Sequence, residues 1–176
     1  MRFYLGDNLK LNTMLNWCVG LLVVISFNSS FANSYPVEPD PQRTPGTLCE
    51  NPDEYRYPEK IPYCNRKVSK SQKNNIIDDY EKAFDFSVDK LGRSNFKIDH
   101  LIPLCAGGSN HDSNLWPQYK AVFENTDPIE GLLCQKMADG LLKQKDAIAL
   151  VLDVKHYRKP VEEAMNFLKS LQKKKQ

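Results

Sequence analysis

Two adjacent residues, Asp99 and His100, sit in the stretch Phe96-Lys97-Ile98-Asp99-His100-Leu101-Ile102-Pro103-Leu104, ahead of Gly107-Gly108-Ser109-Asn110 and then Asn114-Leu115-Trp116-Pro117-Gln118. Neighbouring side chains on a strand point to opposite faces, so an Asp-His pair is poorly placed to hold one ion together. It suits a division of labour. The carboxylate can hold a hard cation, while an imidazole that is neutral near pH 7 takes a proton from water. Hydrolysis of a phosphodiester needs both parts: a base on one side of the phosphorus and a cation on the leaving oxygen opposite.

The elements that position these residues are legible in outline. Ile76, Ile77, Tyr80, Ala83 and Phe84 recur at helical spacing and predict an amphipathic helix over about 70–85. Phe96 and Ile98 alternate with polar neighbours as in a short strand, and the Gly-Gly-Ser-Asn run is a loop. Asn114 to Pro117 reads as a second strand ended by its proline. After a short helix from Tyr119 to Asn125, Asp127-Pro128-Ile129-Glu130 has the pattern of a helix start, with Asp127 as N-cap and Glu130 in a capping box. Ile129, Leu132, Leu133, Met137 and Leu141 then form an apolar stripe. A further helix covers 146–154, Pro160 opens the last one, and the Lys-rich end is a solvated tail. Trp116 is assigned to the core, and His111 and His156 to the surface.

The chain has 176 residues, 41% hydrophobic and 26% charged, which suits one globular domain rather than two. Residues 1–32 read as a signal peptide. Lys10 flanks the apolar run Leu15 to Phe27, which is short for a bilayer span, and Ser30 and Ala32 stand at −3 and −1 of a cleavage site before Asn33. An uncleaved anchor is the alternative. Without Arg2, Lys10 and Asp7, the 24 basic and 22 acidic residues become 22 and 21, a net +1. That balance argues against tight, extended binding of nucleic acid but permits a small cleft that touches a few phosphates.

Cys49, Cys64, Cys105 and Cys134 remain, an even number that favours two disulfides in an exported protein. Three pairings are possible. Cys49–Cys64 with Cys105–Cys134 is preferred, because residues 33–69 are Pro-rich, lack periodicity and need a staple. The second bridge would tie the loop after the Asp-His strand to a later helix. No C-x-x-C spacing supports zinc.

The window over about residues 96–130 resembles the HNH nucleases, a branch of the His-Me finger superfamily. The resemblance implies a β-hairpin and helix around one divalent metal, Mg²⁺ or Mn²⁺. It implies Asp99 as a metal ligand, His100 as general base, and Asn114 as the residue that pins the hairpin loop and helps orient the histidine. Nine to eleven residues beyond Asn114, the third motif position falls on Phe123, Glu124 or Asn125. Glu124 is the preferred second ligand and Asn125 the next. Arg93, Lys97 and Lys120 are candidates for gripping phosphates.

The expected architecture is α+β: a ββα-metal finger in a mostly helical single domain (70–176), with a disulfide-linked irregular arm over 33–69. The expected protein is secreted or periplasmic and free of the membrane once the signal is cleaved. It hydrolyses nucleic acid, DNA ahead of RNA, to a 5′-phosphate product, and no partner protein is inferred. A non-catalytic binding module on the same scaffold, or a hydrolase of another phosphodiester, are the alternatives.

Overall fold

The computed structural model describes residues 35–172, so the expected signal segment lies outside the described residues. Helix α1 (Lys70–Phe84) starts where Ser69 accepts a hydrogen bond from the Gln72 amide and ends at Asp85, whose φ of 50° leaves the helix. Ile76, Ile77 and Tyr80 form its buried stripe. A short turn of helix, α2 (Val88–Leu91), follows. Strands β3 (Phe96–His100) and β4 (Leu115–Tyr119) then pair antiparallel, with Ile98 opposite Pro117, Asp99 opposite Trp116 and His100 opposite Leu115.

Pro117 does not end its strand, contrary to expectation. The Ile98 carbonyl accepts from Arg66 Nη2 at 2.7 Å, so it points away from β4 and Ile98–Pro117 is a non-hydrogen-bonded pair. The proline nitrogen therefore faces outward, and its missing N–H costs no ladder bond. Between the strands, Asn114 stitches the loop. Its Oδ1 accepts from the Ile102 amide at 2.9 Å, and its Nδ2 donates to the carbonyls of Ile102 (3.0 Å) and Ser109 (2.9 Å). Gly108 is required here, because a Cβ would lie 1.8 Å from the Ile102 carbonyl oxygen.

The chain turns directly from β4 into α3 (Lys120–Ala138), which is one continuous helix. The expected break at Asp127 is absent: Asp127 is not an N-cap and Glu130 belongs to no capping box. Val122, Thr126, Ile129, Leu133 and Met137 form a single buried stripe through the proline. Pro128 and Glu124, the residue whose carbonyl loses its amide partner, are both exposed, so water can serve that carbonyl. Helices α4 (Gln144–Lys155) and α5 (Val161–Ser170) complete the chain. They pack with α3, Ile61 and Ile102 into one core, while α1 packs on Phe96, Ile98, Leu115 and Trp116 in a second.

The segment before α1 is less irregular than its composition suggests. It holds a hairpin, β1 (Glu54–Arg56) with β2 (Ile61–Tyr63), closed by a turn in which the Lys60 amide donates to the Tyr57 carbonyl. Disulfides join Cys49–Cys64 and Cys105–Cys134. The arm is bonded to the body: Thr44 is fully buried, its hydroxyl donating to the Leu115 carbonyl and meeting the Tyr80 hydroxyl at 2.7 Å. Among the described residues no helix is long and apolar enough to cross a membrane.

A proline inside a helix costs roughly 3 kcal/mol. Pro128→Ala is therefore expected to stabilise the protein by about 1–3 kcal/mol in urea unfolding, tempered by the looser unfolded chain. A loss of stability would show that the proline shapes α3 rather than being tolerated in it.

Candidate active site

The alternation of β3 puts Asp99 and His100 on opposite faces of the hairpin, and each is almost fully buried, at 6% and 3% exposure. On the Asp99 face stands a buried ammonium. Lys155 Nζ, from the end of α4, lies 2.7 Å from Asp99 Oδ2, 2.6 Å from Glu130 Oε1 and 2.5 Å from the His100 carbonyl. Asp99 and the His100 carbonyl accept hydrogen bonds from it, whereas Glu130 Oε1 is an ion-pair contact that accepts none. Lys97 bridges Asp99 Oδ1 (3.2 Å) and Asp127 from the mouth of the cluster, where it is a third exposed. Carboxylate oxygens of Asp99, Asp127 and Glu130 lie within 4.8 Å of one another.

Burial alone would raise the Asp99 carboxyl, but Lys155 and then Lys97 outweigh it and hold the group below its usual range. Lys155 is correspondingly pushed up despite its burial, by Asp99 and Glu130. Glu130 moves the other way, to about 7, because burial outweighs its share of the Lys155 charge.

On the opposite face, both ring nitrogens of His100 are engaged. Nδ1 faces Arg66 Nη1 at 3.4 Å, and an arginine can only donate, so Nδ1 carries the lone pair. Nε2 lies 3.1 Å from Asn110 Oδ1, whose own Nδ2 donates to the Asn65 carbonyl, so Nε2 carries the proton. Burial is the main cause that lowers His100 from 6.5 to about 4. Arg66 adds to it, and the Asn110 bond opposes it. The imidazole is neutral at pH 7.

Several expected site residues fall elsewhere. Glu124 pairs with Lys120 at 3.6 Å on the solvent side of α3, both more than half exposed, and Asn125 bonds back to the Ala121 carbonyl. The reason is geometric. Helix α3 starts at the Tyr119 end of the hairpin and runs back along β4, as the Gln118–Thr126 side-chain bond at 3.0 Å marks. The level of Asp99 is three residues back, about 10 Å. At 1.5 Å of rise per residue the helix needs about seven residues to return that far. It arrives at Asp127, followed one turn later by Glu130. Arg93, bonded to the Phe96 carbonyl, and Lys120 both sit at the far end of the hairpin, so only Lys97 of the three expected phosphate contacts lies at the site.

Asn114 holds the loop, and the ring itself is held by Asn110, which the sequence analysis reads only as part of a loop. Lys155 and Arg66 were also missed. Lys155 carries one detectable signal: it extends the stripe Ala147, Leu150, Val151 and Val154, an inward position for a charge.

The donor set can be tested against the divalent cation that the resemblance implies. All three side chains offer carboxylate oxygens, the ligands a hard cation takes. With all three ionised, their charges less that of the fixed Lys155 leave −2, so a divalent ion would displace the proton that Glu130 partly holds near pH 7 and the Lys97 ammonium. Asp99, Asp127 and Glu130 therefore fit such an ion, and Glu124 does not. In comparisons with known proteins, no family model, no curated protein and no solved structure matches this chain.

Because His100 is held neutral below its ordinary value, the unfolded chain binds the extra proton first as pH falls. The stability this withholds is fully present above pH 6.5 and is lost as pH drops toward 4. Over that window the protein is expected to lose about 3 kcal/mol more than His100→Gln in urea unfolding. Identical slopes for the two proteins would contradict the buried neutral ring.

Proposed function

We propose that the chain is an exported, metal-dependent nuclease that hydrolyses phosphodiester bonds at the end of β3. The observation that carries this reading is the state of His100: a neutral imidazole fixed in one tautomer, its lone pair facing an arginine, one residue from a carboxylate cluster suited to a divalent cation. Nδ1 takes the proton of the attacking water. The Nε2–H bond to Asn110 keeps that lone pair in place as the positive charge develops on the ring. Burial and Arg66 make the ring a weak base at rest, and an anionic phosphodiester arriving beside them offsets both. Asp99, Asp127 and Glu130 would hold the cation, and a bound divalent ion supplies charge stabilisation to the leaving oxygen. Lys155 keeps Asp99 ionised and aimed. Two disulfides are compatible with an oxidising compartment outside the cytoplasm.

A second reading, a non-catalytic binding module on the same scaffold, is favoured by one observation: Lys97 and Lys155 already neutralise much of the cluster.

The test is nicking of supercoiled plasmid by the purified, oxidised protein with Mg²⁺ or with EDTA, beside His100→Ala. Nicking is expected to require the metal and to fall at least roughly 100-fold in the variant, the scale of general-base catalysis. Full activity in His100→Ala would remove His100 as the base. A folded protein that cuts with no common divalent metal would favour the binding module.

A further inference from the structure

The irregular arm places one cation where the body of the site has none. Arg66 follows Cys64 by two residues, so the Cys49–Cys64 disulfide anchors the chain just before it. Its Nη2 donates to the Ile98 carbonyl at 2.7 Å, and its Nη1 lies 3.4 Å from His100 Nδ1. The residue is exposed, and its remaining N–H groups are free of protein carboxylates. Arg43, Arg56 and Arg158 each pair with an acidic side chain, whereas among the described residues none pairs with Arg66 or with Arg93, and only Arg66 of these two lies beside His100. A guanidinium fixed at one edge by a backbone carbonyl keeps its fork available for a planar or tetrahedral oxyanion.

A cleft of about 440 Å³ opens beside the same loop, lined among others by Glu50, Asn51, Cys64, Ser109 and His111, so Arg66 rather than the cleft supplies the positive charge. Cys64 and Ser109 each precede a residue of the His100 cradle, Asn65 and Asn110. Asn110 occupies the Nε2 side of the ring and the exposed Arg66 the Nδ1 side.

We infer that Arg66 is a substrate-binding residue that grips the phosphodiester group presented to His100, so that the N-terminal arm completes the active site rather than merely covering the body. The inference rests on the reading of His100 as the base of a nuclease. In that role the guanidinium takes two non-bridging oxygens of the phosphate while its bond to Ile98 holds the fork level with the end of β3. The base and the phosphate grip then come from elements joined by that bond, one strand and one disulfide-anchored segment.

Two measurements on the full, oxidised chain separate this inference from the reading beneath it. Binding of a short fluorescein-labelled single-stranded oligonucleotide is followed by anisotropy in EDTA, where no metal-dependent cutting occurs. Plasmid nicking is followed in Mg²⁺. Arg66→Ala is expected to weaken oligonucleotide binding roughly ten- to hundredfold, the scale of a charge-assisted hydrogen-bond pair, with Arg66→Lys between it and the parent. Arg158→Ala, which removes an equal charge from the surface, is expected to bind as the parent does. Unchanged binding by Arg66→Ala, or an equal loss in Arg158→Ala, overturns the inference even if nicking depends on metal and His100. If Arg66→Ala alone loses binding while no divalent metal supports nicking, the anion grip stands and the nuclease reading falls.

Discussion

The arrangement depends on one buried ammonium. Lys155 Nζ joins three parts of the chain at a single point: Asp99 and the His100 carbonyl of β3, Glu130 of α3, and α4, which carries the lysine. Taking an ammonium out of water costs several kcal/mol, offset here by two hydrogen bonds, to Asp99 and the His100 carbonyl, and by the ion pair with Glu130. Removing either partner strands a charge in the interior, so the sequence of β3 is not free to vary at Asp99 even before any chemistry is asked of it. This is an interaction for specificity as much as stability: it sets where α3 and α4 sit against the end of the hairpin.

From that constraint follows the electrostatic character of the site. Lys155 holds Asp99 ionised where burial would otherwise neutralise it, and shares its charge thinly enough that Glu130 drifts to about 7. The cluster keeps an unmet negative balance, covered in the absence of a stronger cation by Lys97 at the mouth. Across the strand the polarity reverses. His100 is neutral, held by an amide on one nitrogen and faced by a guanidinium on the other. An acidic cluster and a guanidinium-faced imidazole thus lie on the two faces of one strand end.

How much of this was legible in the sequence depended on the range of the forces involved. The extent of α1 and the hairpin follow from local signals, helical spacing and alternation, while the loop-closing role of Asn114 was implied by the resemblance and is seen in its three hydrogen bonds. The single helix α3 was hidden because Asp127-Pro128 followed by Glu130 imitates a helix start, while the buried stripe that carries the helix through is a tertiary effect. Glu124 was chosen by counting along the chain. Which carboxylates of α3 meet Asp99 is set instead by how far the helix must run back along β4, which brings Asp127 and Glu130, thirteen and sixteen residues past Asn114, to it. Lys155 lies 56 residues from Asp99 in the chain, and Arg66 sits in a segment with no periodicity to give it a direction.

The central claim is that this cluster is a cation site whose resident counter-ions leave room for one divalent ion. Titration of Mn²⁺ into the protein, followed by the loss of the free-ion electron paramagnetic resonance signal, tests it without requiring activity. One ion per chain is predicted, with binding lost in Asp127→Asn and unchanged in Glu124→Gln. Saturable binding that survives Asp127→Asn, or no binding to the folded parent protein, would contradict the account.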